Sequence, residues 1–237
     1  MQCLILAGGL ATRMRPLTET IPKALIPVAG RPFIDHQLDW LAAHGVTEVV
    51  LSVGYLGEAI RAHVGDGARY GLAARVVDEG PNLRGTAGAV RLAFDQGVLD
   101  ERFLLTYGDS FLPIDFAAVF RDFEASGAPA LMTVYRNQGR WDTSNVIFDG
   151  RMVTLYDKQR RTRPPEDFAF IDYGLSALTR RTVAEGIPAG AKADLAELFH
   201  ALSVRGELAG HESPERFYEI GSPEGLADFT EWVRTRA

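Results

Sequence analysis

Residues 3–28 read CLILAGGLATRMRPLTETIPKALIPV, and the rest of the chain is interpreted from this stretch. It opens with an apolar run at residues 3–6, which is too short for a helix and is followed by Gly8 and Gly9. Such a run, ended by glycines, is typical of a buried strand. The glycine turn predicts a close approach of backbone to a ligand, because glycine has no Cβ and tolerates positive φ.

Positive charge follows the turn at Arg13 and Lys23. Backbone N–H groups in a glycine turn can surround an anion, and a guanidinium binds two phosphate oxygens at once. The stretch therefore predicts a loop that binds a polyphosphate. Taken alone, the glycine pair is equally consistent with a tight turn between solvated arginines.

The full spacing, LAGGxxTRMRPLTxxxPKALxPV, resembles the signature of the sugar-1-phosphate nucleotidyltransferases. The resemblance implies that the loop wraps the triphosphate of an NTP. It also implies that Arg13 assists at the phosphates and that Lys23 binds phosphate near the reaction centre. Ala11 stands where many members of the family have a third glycine. The nucleotide-binding residues implied in this stretch are Leu6, Ala7, Gly8, Gly9, Thr12 and Arg13.

Composition limits the class of protein. The chain has 237 residues, of which 46% are hydrophobic and 24% charged, as in ordinary globular proteins. We expect a single domain, with a nucleotide-binding part at residues 1–136 and a sugar-phosphate-binding part at residues 137–237. The net charge of −6 argues against a general nucleic-acid binder.

Cys3 is the only cysteine, so no internal disulfide can form. We interpret it as a small buried hydrophobe in a protein of the reducing cytoplasm. The N-terminal residues show no basic leader or cleavage pattern. No apolar stretch approaches the roughly 20 residues of a membrane helix. The sequence thus predicts a cytoplasmic protein without a membrane segment.

Strand-like and helix-like segments alternate through the first part of the chain. Apolar patterns predict strands at 3–6, 46–53, 73–78, 103–107 and 130–135, and helices at 32–43, 57–64, 86–94 and 115–125. This alternation indicates a parallel sheet covered on both faces, with ligands at the carboxyl ends of the strands. The family resemblance implies an α/β fold with a Rossmann-like, mixed and mostly parallel sheet, similar to glycosyltransferase A, and a small β-rich sugar-binding part.

The pattern changes after residue 145. The pair Asp149 and Gly150 between two apolar runs predicts a hairpin. Residues 160–167, RRTRPPED, form a charged loop whose default interpretation is solvated surface, with an oligomer contact or a cover for the site as alternatives. A further strand at 168–177, a helix at 192–204 and a last helix from Ser222 complete the prediction.

Residues 79–88, EGPNLRGTAG, fall between a predicted strand and a predicted helix. The segment is either a plain connection or a ligand-binding loop. It resembles the part of mannose-type guanylyltransferases that holds the base. The resemblance implies a nucleotide-binding role for Glu79, Leu83, Gly85 and Thr86, with the glycines allowing the backbone to lie close to a flat base.

A carboxylate directly follows the strand at residues 103–107. Asp109, after Gly108, is placed to bind a hard cation, although a lone Asp is more often a turn residue or helix cap. The stretch YEIGSPE resembles a late family motif. The resemblance implies that Asp109 and Glu219 together hold Mg²⁺, with Glu219 standing where most relatives have Asp.

Two more acidic positions resemble the family's sugar site. Asp157 and Lys158 match a Glu-Lys pair, which implies that the acid accepts hydrogen bonds from sugar hydroxyls and the lysine binds the sugar phosphate. A surface ion pair is the alternative. Residues 172–174, Asp-Tyr-Gly, stand where relatives have Asn-x-Gly beside the sugar, so Asp172 takes the place of the Asn. With Lys23 and Gly108, these residues form the implied sugar-phosphate site.

The predicted reaction needs no covalent intermediate, since no Ser, Cys or His constellation suggests one. Arg13, Lys23 and Asp109 are the predicted catalytic residues of a transfer from an NTP to a sugar 1-phosphate in NDP-sugar and polysaccharide biosynthesis. We rank GTP with a mannose or manno-heptose 1-phosphate first. The alternatives are a uridylyl-, cytidylyl- or thymidylyltransferase and a non-catalytic sugar-nucleotide-binding subunit. A homodimer is compatible with the sequence, and the turn lacks the G-x-G-x-x-G of nicotinamide enzymes.

Overall fold

The computed structural model describes residues 1–9, 12–141 and 143–236, and its centre is a sheet of nine of the described strands. The strands are β1 (Gln2–Ala7), β2 (Pro27–Val28), β3 (Arg31–Pro32), β4 (Glu48–Val53), β5 (Ala73–Asp78), β6 (Arg102–Tyr107), β7 (Ser110–Phe111), β8 (Ala130–Arg136), β9 (Val146–Phe148), β10 (Val153–Tyr156), β11 (Phe170–Thr179), β12 (Leu208–Ser213) and β13 (Tyr218–Glu219). The helices are α1 (Phe33–Ala43), α2 (Gly57–Val64), α3 (Gly85–Asp95), α4 (Phe116–Ser126), α5 (Arg180–Gly186), α6 (Leu195–Val204) and α7 (Pro223–Arg236).

The strand order in the central sheet is β10-β9-β11-β6-β1-β4-β5, and β8 pairs with both β11 and β12. Strands β5, β4, β1 and β6 are mutually parallel, so their carboxyl ends share one edge. Strand β11 is antiparallel to β6 and to β8, which makes β8 and its parallel neighbour β12 run in the direction of β6. The predicted mixed, Rossmann-like sheet is confirmed.

Strand β1 lies at the centre because its side chains are apolar on both faces. Cys3 and Ile5 belong to one buried cluster and Leu4 to the other, and none of the three is accessible to solvent. Successive residues of a strand point to opposite faces, so both faces of this strand must be covered. Helices α1, α2 and α4 cover the first face, and α3, α5 and α6 the second. Burial raises the pKa of the Cys3 thiol, which confirms its interpretation as a buried hydrophobe.

The helix predicted at 192–204 begins later than expected. Asp194 has an extended backbone, and its side chain accepts a hydrogen bond from the Ala196 N–H, so the helix starts at Leu195. An Asp at this position is a strong N-cap because its oxygen satisfies a backbone donor of the first turn. The predicted start at residue 192 was wrong for this reason.

Several elements carry too weak a local pattern to be predicted. Helix α5 has seven residues and only two that are buried, and β12 reads LAGHES. Two ribbons have only two residues per strand, β2 with β3 and β7 with β13. Tertiary contacts decide these elements, since short isolated segments have little stability of their own.

The hairpin predicted from Asp149 and Gly150 is confirmed. β9 and β10 are antiparallel, Gly150 has φ +99°, and Asp149 Oδ1 accepts hydrogen bonds from the N–H groups of Arg151 and Met152 at 2.8 and 2.7 Å. A glycine with positive φ after an Asp is the expected chemistry of such a turn. The hairpin returns the chain to the carboxyl edge of the sheet at residues 157 and 158.

Helix α7 packs on an aromatic cluster beside α1. The rings of Phe33, Phe111, Phe229 and Trp232 lie within 4.7 to 5.8 Å of one another in successive pairs. This packing fixes β13 against β7 at the carboxyl edge. Among the described residues, none of the helices has the combined length and apolar character for crossing a bilayer.

Candidate active site

A cavity of about 250 Å³ opens at the edge where β1, β4, β5 and β6 end. A parallel sheet binds ligands at this edge because the loops that follow its strands meet there. Most of the predicted nucleotide and catalytic residues line it: Leu6, Ala7, Gly8, Gly9, Lys23, Glu79, Leu83, Gly85, Thr86, Gly108 and Asp109. The described part of its wall does not include Arg13, Asp157, Lys158, Asp172 or Glu219.

The glycine turn after β1 permits close packing of loops. A Cβ on Gly8 would collide with Glu79 Oε1, and one on Gly54 would lie 2.9 Å from the Gly8 carbonyl oxygen. Neither Gly8 nor Gly9 has φ in the left-handed region, so the expected positive φ is wrong for both. Close packing on Glu79 accounts for Gly8, whereas a Cβ on Gly9 would meet none of the described atoms within 4 Å. Leu10 and Ala11 lie outside the described residues.

Arg13 follows the turn on a short 3-10 helix, Thr12–Met14, and is exposed. The side chain of Thr12 also lies outside the described part of the chain, so its nucleotide-binding role stays a prediction. Arg13 does not belong to the described wall of the cavity. Its contact with the phosphates of a ligand therefore stays a prediction.

Glu79 places a buried carboxyl group at the cavity wall. Its side chain is 8% exposed, and its oxygens accept hydrogen bonds from the Arg84 N–H at 3.1 Å and the Ser52 hydroxyl at 3.5 Å. Burial raises the pKa of Glu79, against the opposing effect of the Arg84 N–H. A buried acceptor of this kind needs a donor from the ligand to replace lost water.

The glycine motif at residues 85–88 packs against protein. A Cβ on Gly85 would lie 2.5 Å from the Ala193 carbonyl oxygen, and Gly85 has φ +73°. A Cβ on Gly88 would lie 2.8 Å from the Ala191 carbonyl oxygen. The Ala87 N–H donates to the Ala193 carbonyl at 3.0 Å. We expected Gly88 to approach the base, and the structure instead uses it to bring the segment before α6 close to α3.

The two predicted catalytic groups after the turn and after β6 are in direct contact. Lys23 Nζ lies 2.7 Å from Asp109 Oδ2, and both side chains are partly buried. Gly108 makes this possible, because its N–H donates to the Leu6 carbonyl at 2.9 Å and a Cβ there would lie 2.7 Å from that of Ala7. The ammonium and the carboxylate therefore meet at the carboxyl end of β1.

Asp109 directly precedes β7, and Glu219 lies on β13, the other strand of the same ribbon. Glu219 on β13 pairs with Ser110 on β7, and the Ile220 N–H donates to the Asp109 carbonyl at 2.9 Å. Among the described residues, no group of three or more His, Cys, Asp or Glu side chains could hold a metal by itself. Mg²⁺ commonly takes one or two carboxylates and completes its shell with substrate phosphates and water. The donor set at this ribbon fits that ion.

Asp172 and Lys158 form a second group beside the cavity. Asp172 Oδ1 accepts from the Gly174 N–H at 3.0 Å, and Gly174 has φ +101°. Burial raises the pKa of Asp172 to about 6, although the Gly174 N–H and the charge of Lys158 lower it. Lys158 Nζ lies 3.0 Å from Asp194 Oδ2. These residues come together from three separate segments.

Asp157 shapes the loop that follows it. Its oxygens accept hydrogen bonds from the N–H groups of Gln159, Arg161 and Thr162 and from the Thr162 hydroxyl, at 2.7 to 3.1 Å. Burial opposes its ionisation, but these hydrogen bonds outweigh it and hold its pKa below the usual range. The carboxylate is thus committed to the loop, and its expected contact with sugar hydroxyls stays a prediction that the geometry does not favour.

Three residues of the site were not predicted: Tyr55, Tyr107 and Asp194. Tyr55 lines the cavity and donates its hydroxyl to the Glu19 carbonyl at 3.0 Å. Tyr107 also lines the cavity, and burial together with the charges of Asp172 and Asp194 raises its pKa, so it stays a neutral donor. The sequence signal for Tyr107 was its position at the end of β6. The signal for Asp194 was an Asp directly before an apolar helical pattern.

The comparisons with known proteins agree with this geometry. Residues 2–144 match the family model described as nucleotidyl transferase. The chain is 31% identical over 224 residues to N-acetylmuramate alpha-1-phosphate uridylyltransferase of Neisseria meningitidis, with 94% of each chain covered. It is 35% identical over 174 residues to glucose-1-phosphate thymidylyltransferase of Streptomyces antibioticus, and it spans about half of that longer protein, 48% of its length.

Solved structures share the fold. HddC from Yersinia pseudotuberculosis superposes with a TM-score of 0.78 at 21% identity, covering 98% of this chain and 99% of the other. The inositol-1-phosphate CTP transferase from T. maritima superposes with a TM-score of 0.77 at 20% identity, covering 98% and 94%. The family model covers more than half of the sequence. The chain therefore belongs to the nucleotidyl transferase family, and its relatives are sugar-1-phosphate nucleotidyltransferases.

Proposed function

We propose that this protein transfers a nucleotidyl group from an NTP to a sugar 1-phosphate, giving an NDP-sugar and pyrophosphate. The observation that carries the proposal is the contact between Lys23 and Asp109 in a cavity lined by the phosphate-binding turn and by Glu79. A cation, a carboxylate and a base-sized wall in one cavity match the parts that this transfer needs. Membership of the family supports the same reaction.

The transfer forms one bond and breaks one bond at the α-phosphorus of the NTP. An oxygen of the sugar phosphate attacks this phosphorus, and the bond to the oxygen bridging the α- and β-phosphates breaks, so that the electron pair leaves with pyrophosphate. Such transfers depend on positioning and charge neutralisation. We assign Lys23 and Lys158 to the acceptor phosphate and Arg13 to the departing pyrophosphate.

Asp109 and Glu219 are the residues that would hold Mg²⁺. When bound, the ion supplies positive charge to the phosphate oxygens and so eases the approach of two anions. Lys23 restrains the Asp109 carboxylate through the 2.7 Å contact, which keeps this oxygen at the carboxyl end of β1 in the absence of other ligands.

The proposal divides the chain by substrate. Residues 1–136 bind the nucleotide and residues 137–237 bind the sugar phosphate within one domain, as the sequence predicts. The support is the position of the two groups: the cavity lining comes from the first part, and Lys158, Asp172 and Asp194 from the second. The cytoplasmic location that the sequence predicts and the homodimer with which it is compatible belong to the same proposal.

Glu79 bears on the choice of nucleotide base. A buried carboxyl group selects a ligand that donates a hydrogen bond, since an acceptor facing it would leave both groups unpaired. Uracil and thymine carry one ring N–H, and guanine carries a ring N–H beside an amino group. Cytosine and adenine donate through an exocyclic amino group, so the carboxyl group by itself does not exclude them. Because the named relatives transfer thymidylyl, uridylyl and guanylyl groups, we propose UTP, dTTP or GTP as the donor, ahead of CTP and ATP.

UTP with an amino-sugar 1-phosphate of the N-acetylmuramate type is the first pair within this group. Its support is the Neisseria uridylyltransferase, which aligns along 94% of both chains. GTP with mannose 1-phosphate, ranked first from the sequence, is the second pair. Its support is the mannose-1-phosphate guanylyltransferase of Mycobacterium tuberculosis, 28% identical over 98% of this chain and 66% of that protein.

The test is pyrophosphate release with Mg²⁺, crossing five NTPs with N-acetylmuramate, N-acetylglucosamine, glucose, mannose and manno-heptose 1-phosphates. We expect turnover with at least one pair, and a donor base that carries a ring N–H. Release only with CTP or ATP would contradict this choice of donor. Nucleotide binding by calorimetry without release from any pair would favour a non-catalytic binding subunit.

A further inference from the structure

The hydroxyl group of Thr86 is committed to the start of α6. It donates to Asp194 Oδ1 at 3.1 Å and accepts from the Leu195 N–H at 2.8 Å. Both contacts fix the segment that precedes α6 against the glycine motif, which already packs on Ala193 through its backbone. Thr86 lines the nucleotide cavity, so the wall of that cavity and the N-terminus of α6 form one rigid joint.

Asp194 is held on three sides. Besides Thr86, the Ala196 N–H donates to Asp194 Oδ1 at 2.9 Å, and Lys158 Nζ lies 3.0 Å from Oδ2. Burial opposes its ionisation, but the Ala196 N–H, the Lys158 ammonium and the Thr86 hydroxyl outweigh it and lower its pKa. The carboxylate is therefore ionised at neutral pH and cannot turn away, because its other oxygen is already fixed.

Lys158 has no comparable restraint of its own. Its side chain is 54% exposed, and the Asp194 carboxylate is its only hydrogen-bond partner among the described residues. A free lysine side chain carries about 2 kcal/mol of rotamer entropy, which a bound phosphate must remove. A partner that orients the ammonium beforehand lowers this cost.

We propose that Asp194 is a positioning residue for the sugar-phosphate end of the site. Fixed by Thr86 at the nucleotide wall, it holds the Lys158 ammonium where the acceptor phosphate arrives. The inference rests on the proposed function and adds that the glycine motif serves both substrates, the nucleotide through its wall and the sugar phosphate through Asp194. The negative charge of Asp194 also weakens the attraction of this region for a phosphate. Salt screens that charge between exposed groups, but it does not change the orientation of the Lys158 ammonium.

The first experiment separates orientation from folding. Asn caps a helix as well as Asp does, so Asp194→Asn keeps the start of α6 and loses the ion pair. We expect the KM for the sugar 1-phosphate to rise about 3- to 10-fold, with kcat and the KM for the NTP within about twofold of wild type. A rise in both KM values, or a change in melting temperature alone, would show a merely structural role and overturn the inference.

The chain offers a matched control in Glu207. Its ion pair with Arg205 has a distance of 2.7 Å and side-chain exposures of 45% and 53%, close to the 48% and 54% of the pair between Asp194 and Lys158. Glu207→Gln changes the net charge by the same amount, outside the cavity wall. We expect both KM values to stay at wild-type level. A rise matching that of Asp194→Asn would assign the effect to net charge and overturn the inference.

A mutant cycle tests the path through Lys158. If Asp194 acts through this lysine, Asp194→Asn adds no further rise in KM to Lys158→Gln. Thr86→Val should also raise the KM for the sugar 1-phosphate. Thr86→Ser, which keeps the hydroxyl, should leave this KM at the wild-type value. Additive effects of Asp194→Asn and Lys158→Gln would contradict the inference.

A measurement without substrate keeps this inference separate from the proposed function. The whole chain contains three lysines, Lys23, Lys158 and Lys192, so reductive ¹³C-methylation gives few side-chain signals for NMR. Lys158→Arg assigns one of them. We expect that signal in the wild type to be broader and shifted from that of exposed Lys192, and to coincide with it in Asp194→Asn. Coincidence already in the wild type would overturn the inference, even for an active enzyme. A restrained lysine without turnover on any substrate pair would instead overturn the proposed function and the positioning role with it.

Discussion

At the end of the site that we assign to the nucleotide, the groups that face the cavity come mostly from the segments after β1, β4, β5 and β6. At the sugar end, Lys158, Asp172 and Asp194 come from a hairpin exit, a strand start and a helix cap. The first end is built from backbone, with glycines that let loops approach one another. The second is built from side chains, each held by a backbone N–H or by another side chain.

The difference has an energetic consequence. Gly8, Gly85 and Gly108 have no room for a Cβ, so substitutions there should act on stability and binding together. Charged residues at the sugar end are partly exposed, so substitutions there should act on binding with small effects on stability. Four substitutions test this contrast, and they are ordered by the size of the expected effect.

Asp109→Ala should have the largest effect, because it removes the carboxylate at the point where the two ends meet. We expect kcat to fall about 1000-fold, a magnitude typical of losing one electrostatic group at a reaction centre. Pyrophosphate release measures the loss, and circular dichroism with the melting temperature checks the fold. Turnover within tenfold of wild type would contradict both the catalytic role and the metal role of Asp109.

Gly85→Ala should destabilise the protein by about 3 kcal/mol, through a strained φ and a contact with Ala193. Gly97→Ala is the matched control, because Gly97 has a similar φ of +69° and nothing lies near its Cβ position. There we expect about 1 kcal/mol from the backbone conformation alone. Urea unfolding of both variants measures the difference. Equal losses would show that the close packing on Ala193 carries no energy.

Glu79→Gln should raise the KM for the NTP by about 10- to 100-fold, since one hydrogen bond from the base to a buried carboxyl group is weakened. The KM for the sugar phosphate should stay within about twofold. Steady-state kinetics with both substrates varied gives the two values. An equal rise in both KM values would place Glu79 in the packing of the loops rather than at the base.

Substitution of Asp172 should have the smallest effect of the four, and its effect on stability should depend on pH. Its pKa is raised from 3.8 to about 6, so the folded state keeps a proton that the unfolded chain has lost. Its contribution to the free energy of unfolding therefore falls as pH rises from about 4 to 6 and stays lost above that range. Asp172→Asn should be more stable at pH 7 by about 1 to 2 kcal/mol, allowing for partial exposure.

The same titration should appear in binding. As pH falls below about 6, the carboxylate that we assign to sugar hydroxyls becomes protonated, and the KM for the sugar 1-phosphate should rise severalfold. In Asp172→Asn this dependence should be weaker, leaving the part that comes from the second ionisation of the sugar phosphate itself at about pH 6, while the NTP profile is unchanged. A wild-type KM that is flat between pH 5 and 7 would show that the Asp172 charge does not contribute to sugar binding.

The nucleotide end was the more predictable of the two. The turn at Gly8 and Gly9, the segment at 79–88 and the carboxylate at Asp109 are each contiguous in sequence and follow an apolar strand, so topology alone brings them to one edge. The parallel strands and the helices over both faces were predicted for the same reason, since apolar periodicity is local. The reason for individual glycines was not predicted, because it depends on what lies opposite each one.

The sugar end was predictable only in part. Lys158 and Asp172 were identified from a resemblance, but the hydrogen bonds that commit Asp157 to its own loop became visible only in the fold. Asp194 was missed altogether. Its sequence signal is that of an ordinary helix cap, and nothing local shows that the next partners are Thr86, more than 100 residues earlier, and Lys158.

The sequence by itself determined the alternation of strands and helices, the glycine turn after β1 and the carboxylate after β6, because each depends on short-range periodicity and on residues that are contiguous in the chain. The tertiary structure decided the contact of Lys23 with Asp109, the joint between Thr86 and Asp194, and the commitment of Asp157. These are pairings across long sequence separations, and their energies depend on burial and on distances that only the packed chain defines.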